Sequence, residues 1–260
     1  MSSKPISVLI TGANRGLGLE MVKQMVETQG PLTPVSVLFA CCRDPDGPRA
    51  EGLQALAKKH PDIIKIICMD AADPKSIKQA AQQVASVVGK SGLNIIINNA
   101  AIAIHSPFFE STPEEMQNCF NINAIGPMVI TQEFISLLRA AAKDSGTPGM
   151  SCRKAAVINI STIASSNGLA NETYNKWRVV PYRVSKAAMN MMSVCASVEL
   201  QKDEILCMML HPGWVRTDLG GPEGELDTHE SVEGMFRVMN SLTEKHCGAL
   251  LNWKGETVPW

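Results

Sequence analysis

"ISVLITGANRGLGLEMVKQMV", residues 6 to 26, runs from a short apolar stretch through Gly12, Gly16 and Gly18 into a segment with apolar residues at helical spacing. The first part reads as a buried strand and the last as an amphipathic helix. Glycines between them let the backbone turn sharply and approach a pyrophosphate. The phosphate charge is then met by free N–H groups and the positive end of the helix dipole. A glycine triplet alone also fits a purely structural turn, so its setting has to decide.

Further apolar runs of strand length follow at 35–42, 63–69, 93–98, 155–160 and 204–210, with longer amphipathic stretches between them. Both faces of these runs are apolar, as in a parallel sheet covered by helices on each side. The alternation predicts an α/β, doubly wound parallel sheet built as a single domain over residues 1–260. A chain of 260 residues, 45% of them hydrophobic, can bury one sizeable core. Its formal net charge of -1 gives no electrostatic case for a nucleic-acid or anionic-membrane partner, so the expected partner is a small molecule. The apolar start is too short for a signal-peptide core or a membrane span, and a cytoplasmic protein is expected. The eight cysteines show no C-x-x-C spacing and read as reduced thiols. The five histidines show no spacing suited to zinc, and no metal site is expected.

The second strand ends in "ACCRDP". An acid at this strand end would meet a free ribose 2′-hydroxyl, whereas Arg43, with Arg15 from the glycine turn, suits a 2′-phosphate. This favours NADP(H), although Asp44 stands next to Arg43. In "YRVSK" (182–186), Tyr182 and Lys186 are four apart, and on a helix they share one face. An ammonium at Lys186 is then expected to lower the pKa of the Tyr182 phenol and make it a usable general acid. Lysine is common, so the spacing alone carries little.

"TGANRGLG", "NNAA" (98–101), "NAIG" (123–126), "NIST" (159–162), "YRVSK" and "PGWVRT" (212–217) occur in the order seen in the short-chain dehydrogenase/reductase family, with its Rossmann fold. The segments "HPGWVRTDLGG" and "GALLNWKGETVPW" more narrowly resemble the sniffer-type carbonyl reductases. The resemblance implies that Tyr182 protonates a carbonyl oxygen while NADPH delivers hydride to carbon. Lys186 would hold the nicotinamide ribose and keep the phenol acidic, and Asn123 would hold a water relaying protons from Lys186. Read alone, Asn123 fits a helix kink or cap equally well.

The family's substrate-orienting hydroxyl falls here on Thr162 in place of serine, with Ser161 as the other candidate. A second departure is Ala101 where the family has glycine. Cofactor contacts implied by the resemblance are the turn Gly12, Asn14, Arg15, Gly16, Leu17 and Gly18, then Arg43, then Asp70 at the adenine amino group. Asn98 and Ala100 would run beside the adenosine ribose. Pro212, Gly213, Val215 and Thr217 would form the turn around the carboxamide and pyrophosphate. Asp70 and Asp73 each also fit a helix cap.

The 20 positions from Thr162 to Tyr182 exceed the spacing of compact family members and imply an insertion overhanging the site. Trp177, Tyr174 and Trp214 are expected to form an apolar substrate wall. The loop 220–230 reads equally as a mobile lid or as an ordinary solvated loop. The expected activity is NADPH-dependent reduction of aldehydes, ketones or quinones. The alternatives are an NADP-linked alcohol dehydrogenase of steroid or retinol type, or a cofactor-binding signalling protein with weak activity. The family also suggests a homodimer.

Overall fold

The computed structural model describes residues 4–260. Seven parallel strands form one sheet: β1 (Ile6–Thr11), β2 (Val35–Cys42), β3 (Ile64–Cys68), β4 (Ile95–Asn98), β5 (Ala156–Ile160), β6 (Leu206–His211) and β7 (Leu250–Asn252). Their order is β3-β2-β1-β4-β5-β6-β7. Six of the seven coincide with the apolar runs to within two residues at each end. The seventh, three residues long, is too short to carry a periodic signal.

Strand residues alternate between two cores, as the period of two requires. Ile6, Val8 and Ile10 of β1 pack with Met21, Val22 and Met25 of α1 (Gly16–Glu27) and with Leu53 of α2 (Glu51–Lys59). Val232, Met235 and Met239 of α8 (Thr228–Ser241) complete that side. Leu9 and Ile96 face the opposite way, against Ile77 and Val84 of α3 (Pro74–Val88) and Phe134 and Leu138 of α5 (Gly126–Asp144).

Local chemistry sets the helix starts. Asp73 and Asp227 cap α3 and α8 by accepting from the backbone N–H groups of Lys75 and Glu230. Thr112 and Glu115 form a capping box on α4 (Pro113–Phe120). The Asp227 cap, with bridges Val215–Leu226 and Thr217–Gly221, ties the acidic loop 220–230 to α8 and to the loop after β6. Between α4 and α5 the helix continues through a π-helical turn, Asn121–Ile125.

The chain order reverses between β1 and β4, and the crevice above their C-terminal ends is where open α/β sheets take ligands. Among the described residues, no helix is long and apolar enough to cross a membrane. Among the same residues no group of three or more His, Cys, Asp or Glu side chains is placed to hold a metal ion.

Candidate active site

The glycine turn at the end of β1 is built for a close approach. Gly12 and Gly16 have φ of 63° and 54°, in the left-handed region where a side chain is strained. A Cβ on Gly18 would stand 2.1 Å from the Gly12 carbonyl oxygen. Arg15, the residue before helix α1, gives it no side-chain cap, and the first turn holds no acid, which leaves its N–H groups and dipole to a ligand. These features fit a dinucleotide pyrophosphate.

Asn99 holds the turn in place, donating from Nδ2 to the Thr11 and Gly12 carbonyls at 2.9 and 3.2 Å. The Thr11 hydroxyl accepts from the Asn99 and Ala100 N–H groups at 3.0 and 2.9 Å. The sequence pattern does not single out Asn99, whose partners are 87 and 88 positions away. The Asn98 side chain lies within the sheet. It is buried, donates to Asn159 Oδ1 at 2.8 Å, and Asn159 donates on to Ser193 Oγ at 2.7 Å. Alternation at the end of β4 was the available signal: consecutive side chains face opposite ways, and the first of the pair lies in the sheet.

Around the turn, Asn14 donates to the Arg49 carbonyl at 3.3 Å, and Leu17 packs against the core. Arg15 pairs with Asp218, and a Cβ on Gly16 would come 3.6 Å from Thr217 Cγ2. The loop after β6 therefore closes on the glycine turn. Its backbone is fixed by buried Pro212, whose carbonyl accepts from Ser231 Oγ at 2.6 Å, and by buried Val215. Gly213 has φ of 86°, and a Cβ there would lie 2.4 Å from Leu226. Arg43 is exposed at the end of β2. Asp70 accepts from the Ala72 N–H at 2.9 Å with one carboxylate oxygen, a local turn.

Tyr182 and Lys186 lie in the first two turns of α7 (Val180–Leu200), which Pro181 starts. Lys186 is 2% exposed; its ammonium donates to the Ile160 carbonyl at 2.7 Å and lies 6.0 Å from the Tyr182 ring centroid. Burial pulls Lys186 from 10.5 down to about 7. Burial also pushes the Tyr182 phenol up to about 12, and a hydrogen bond with the Thr162 hydroxyl opposes the rise. The expected acidification of Tyr182 by Lys186 is therefore corrected. The ammonium gives one of its three donors to Ile160 and is itself destabilised by burial, and among the described residues the group that favours the phenolate is Thr162.

The two candidate hydroxyls separate clearly. Ser161 is buried and donates to Asn190 Oδ1 at 2.6 Å, while Asn190 donates to Ser165 Oγ at 2.8 Å. Thr162 is partly exposed, accepts from the Ala164 N–H at 3.1 Å, and keeps its own proton to donate. Asn123 sits in the π-helical turn, a geometry frequent at functional sites. Its amide donates to the Ile102 carbonyl and to Ser185 Oγ at 2.8 and 3.0 Å, and its oxygen accepts from the Ile102 N–H at 3.0 Å. Both side-chain N–H groups are thus used. A water on this residue would have to donate to it.

Trp177 and Trp214 meet edge to face with centroids 5.4 Å apart, and Lys176 lies over both rings. This joins the segment before α7 to the loop after β6. Tyr174 does something else: its hydroxyl accepts from the Phe108 N–H at 3.1 Å, so it anchors a loop.

The short chain dehydrogenase family matches residues 7–226. The NADPH-bound carbonyl reductase from chicken fatty liver is 41% identical, with a TM-score of 0.93 over 99% of this chain and 100% of that one. The carbonyl reductase Sniffer of D. melanogaster is 32% identical, with a TM-score of 0.91 over 99% of this chain and 100% of that one. The C-signal protein of Myxococcus xanthus is 33% identical over 65% of this chain and 93% of that protein. The glycine turn, the Tyr182–Lys186 helix and these likenesses lead to one conclusion: the chain belongs to the short chain dehydrogenase family of oxidoreductases and is similar to the sniffer-type carbonyl reductases.

Proposed function

We propose that this chain reduces aldehydes, ketones or quinones with NADPH, using Tyr182 as the proton donor. The observation that carries the reading is the convergence of Tyr182, Thr162 and buried Lys186 in a fold whose first helix N-terminus is uncapped. Bound in that crevice, NADPH would supply a hydride to the carbonyl carbon. The turn from Gly12 to Gly18 would hold its pyrophosphate, with Arg15 and Arg43 toward the 2′-phosphate. Asp70 and Ala100 would face its adenosine half, and Pro212 to Thr217 its nicotinamide half. The solved chicken relative, described as NADPH bound, supports that choice of cofactor.

Thr162 donates a hydrogen bond to the carbonyl oxygen and to the phenol in turn, which orients the substrate against Tyr182. Burial keeps the phenol protonated throughout the neutral range, so the donor stays loaded. Proton transfer is still favourable, because the alkoxide left after reduction is a stronger base than a phenolate. Lys186, drawn down to about 7 by burial, would hold the nicotinamide ribose. Trp177 and Trp214 wall the substrate side.

The test is NADPH consumption by the purified chain over a panel of carbonyl compounds. Turnover with NADPH is expected to exceed that with NADH, and Tyr182→Phe is expected to abolish it while still binding NADPH. Near-normal turnover in Tyr182→Phe would exclude the assigned donor.

A further inference from the structure

Arg183, next to the proposed proton donor, is an unusual helix residue: a guanidinium in a residue only 8% exposed, with no carboxylate partner among the described residues. Its donors go instead to three separate points. Nε donates to the Trp177 carbonyl at 3.0 Å, and one terminal nitrogen donates to the Ala164 carbonyl at 3.0 Å. Both terminal nitrogens reach Thr173 Oγ1 at 3.1 Å. The guanidinium carbon also lies 5.6 Å from the centroid of the Tyr174 ring.

Those points belong to different parts of the site. Thr173, Tyr174 and Trp177 belong to the segment before α7, which supplies Trp177 to the proposed substrate wall. Ala164 belongs to the short turn that Thr162 starts, and its N–H is the group that holds the Thr162 hydroxyl. Arg183 itself follows Tyr182 on the rigid helix α7. One planar fork thus spans proton donor, orienting hydroxyl and wall, a geometry that a lysine ammonium cannot reproduce.

We propose that Arg183 is a positioning residue that sets substrate specificity, fixing the inserted segment and the Thr162 turn in one relation to Tyr182. It touches neither the reacting atoms nor the cofactor crevice. Its loss leaves the chemistry intact but lets the wall and the orienting hydroxyl drift from the donor. Substrates that lean on the wall, bulky aromatic carbonyls, suffer more than small aliphatic ones.

This inference rests on the reductase reading, and its test keeps the two separable. Arg183→Met, Arg183→Lys and Thr173→Val are compared with the wild type by steady-state kinetics and by limited trypsin cleavage after exposed Lys176 and Arg178. Thr173→Val removes one contact on the inserted segment and leaves the guanidinium in place, should Arg183→Met fail to fold. For an aromatic ketone, kcat/KM is expected to fall about tenfold in Arg183→Met, and less for a small aldehyde, as suits the loss of charge-assisted hydrogen bonds. The KM for NADPH is expected to stay within about twofold, since a uniform loss of binding is not what the geometry implies. Arg183→Lys recovers part of the loss, and cleavage after Lys176 and Arg178 is faster in both Arg183→Met and Thr173→Val. Equal losses for both substrates, or cleavage rates equal to the wild type, would overturn the proposal. If the wild type itself consumes no NADPH with any carbonyl, the reductase reading fails separately, and the cleavage ratio alone decides whether Arg183 ties the segment.

Discussion

At the end of β5, two neighbouring hydroxyls have opposite duties. Ser161 is sealed into a buried network with Asn190 and Ser165, while Thr162 faces Tyr182. Thr162→Val should therefore lower kcat/KM by about a hundredfold, the usual consequence of removing one oriented donor at a reacting oxygen. Thr162→Ser should retain most activity. Ser161→Ala should remain active but lose about 1 to 3 kcal/mol of stability, because Asn190 Oδ1 is left buried without its donor. Steady-state kinetics and urea unfolding on the three variants check this, and a large kinetic loss confined to Ser161→Ala would reverse the assignment. The sequence presented both residues as candidates and could not choose. The deciding partner, Asn190, is 29 positions away and reaches Ser161 only once α7 packs on the sheet. Asn98 shows the same limit: a buried amide and a ligand-facing amide look alike until the neighbouring strand supplies Asn159.

At the scale of elements, patterns of local origin were legible and those made by long-range contact were not. Strand runs, glycine turn and α7 are written in periods of two or 3.6 and in the punctuation of glycine and proline. Strand β7 and the tie between the inserted segment and α7 carry no period. The start of α1 shows how tightly the local pattern constrains chemistry. Gly18→Ala would place a methyl carbon 2.1 Å from the Gly12 oxygen, and neither atom belongs to a flexible side chain. The backbone turn must open, with an overpacking cost of about 1 to 3 kcal/mol. NADPH affinity is expected to weaken by at least about tenfold, since the displaced groups are those left free for the phosphates. Calorimetric titration with NADPH, alongside a thermal melt, measures both effects. Unchanged affinity would separate this turn from cofactor binding.

Across the whole molecule, the sheet that brings these elements together also buries titratable groups with no counter-charge, and that fixes how stability depends on pH. Burial draws His211 from 6.5 to about 4 and Lys186 from 10.5 to about 7. Between each pair of values the unfolded chain binds a proton that the folded chain has released. Stability therefore rises with pH from about 4 to 6.5 through His211, and from about 7 to 10.5 through Lys186. Thiols act in the reverse sense. Burial raises Cys41, Cys42, Cys152 and Cys207 above 9.0, so beyond that pH the unfolded chain ionises groups that the folded chain keeps protonated. Four thiols outweigh one lysine as soon as each is partly ionised in the unfolded chain, and stability should peak somewhat below pH 9 and fall beyond it. One proton corresponds to a slope of about 1.4 kcal/mol per pH unit. Urea unfolding between about pH 7 and 8, below the range in which the unfolded thiols ionise, should thus show a rise somewhat under that slope in the wild type, and a nearly flat line in Lys186→Met. If both proteins show the same slope, the burial of a charged Lys186 is not what destabilises the fold near neutrality. The same lysine that serves the site would then do so at no cost to the sheet beneath it.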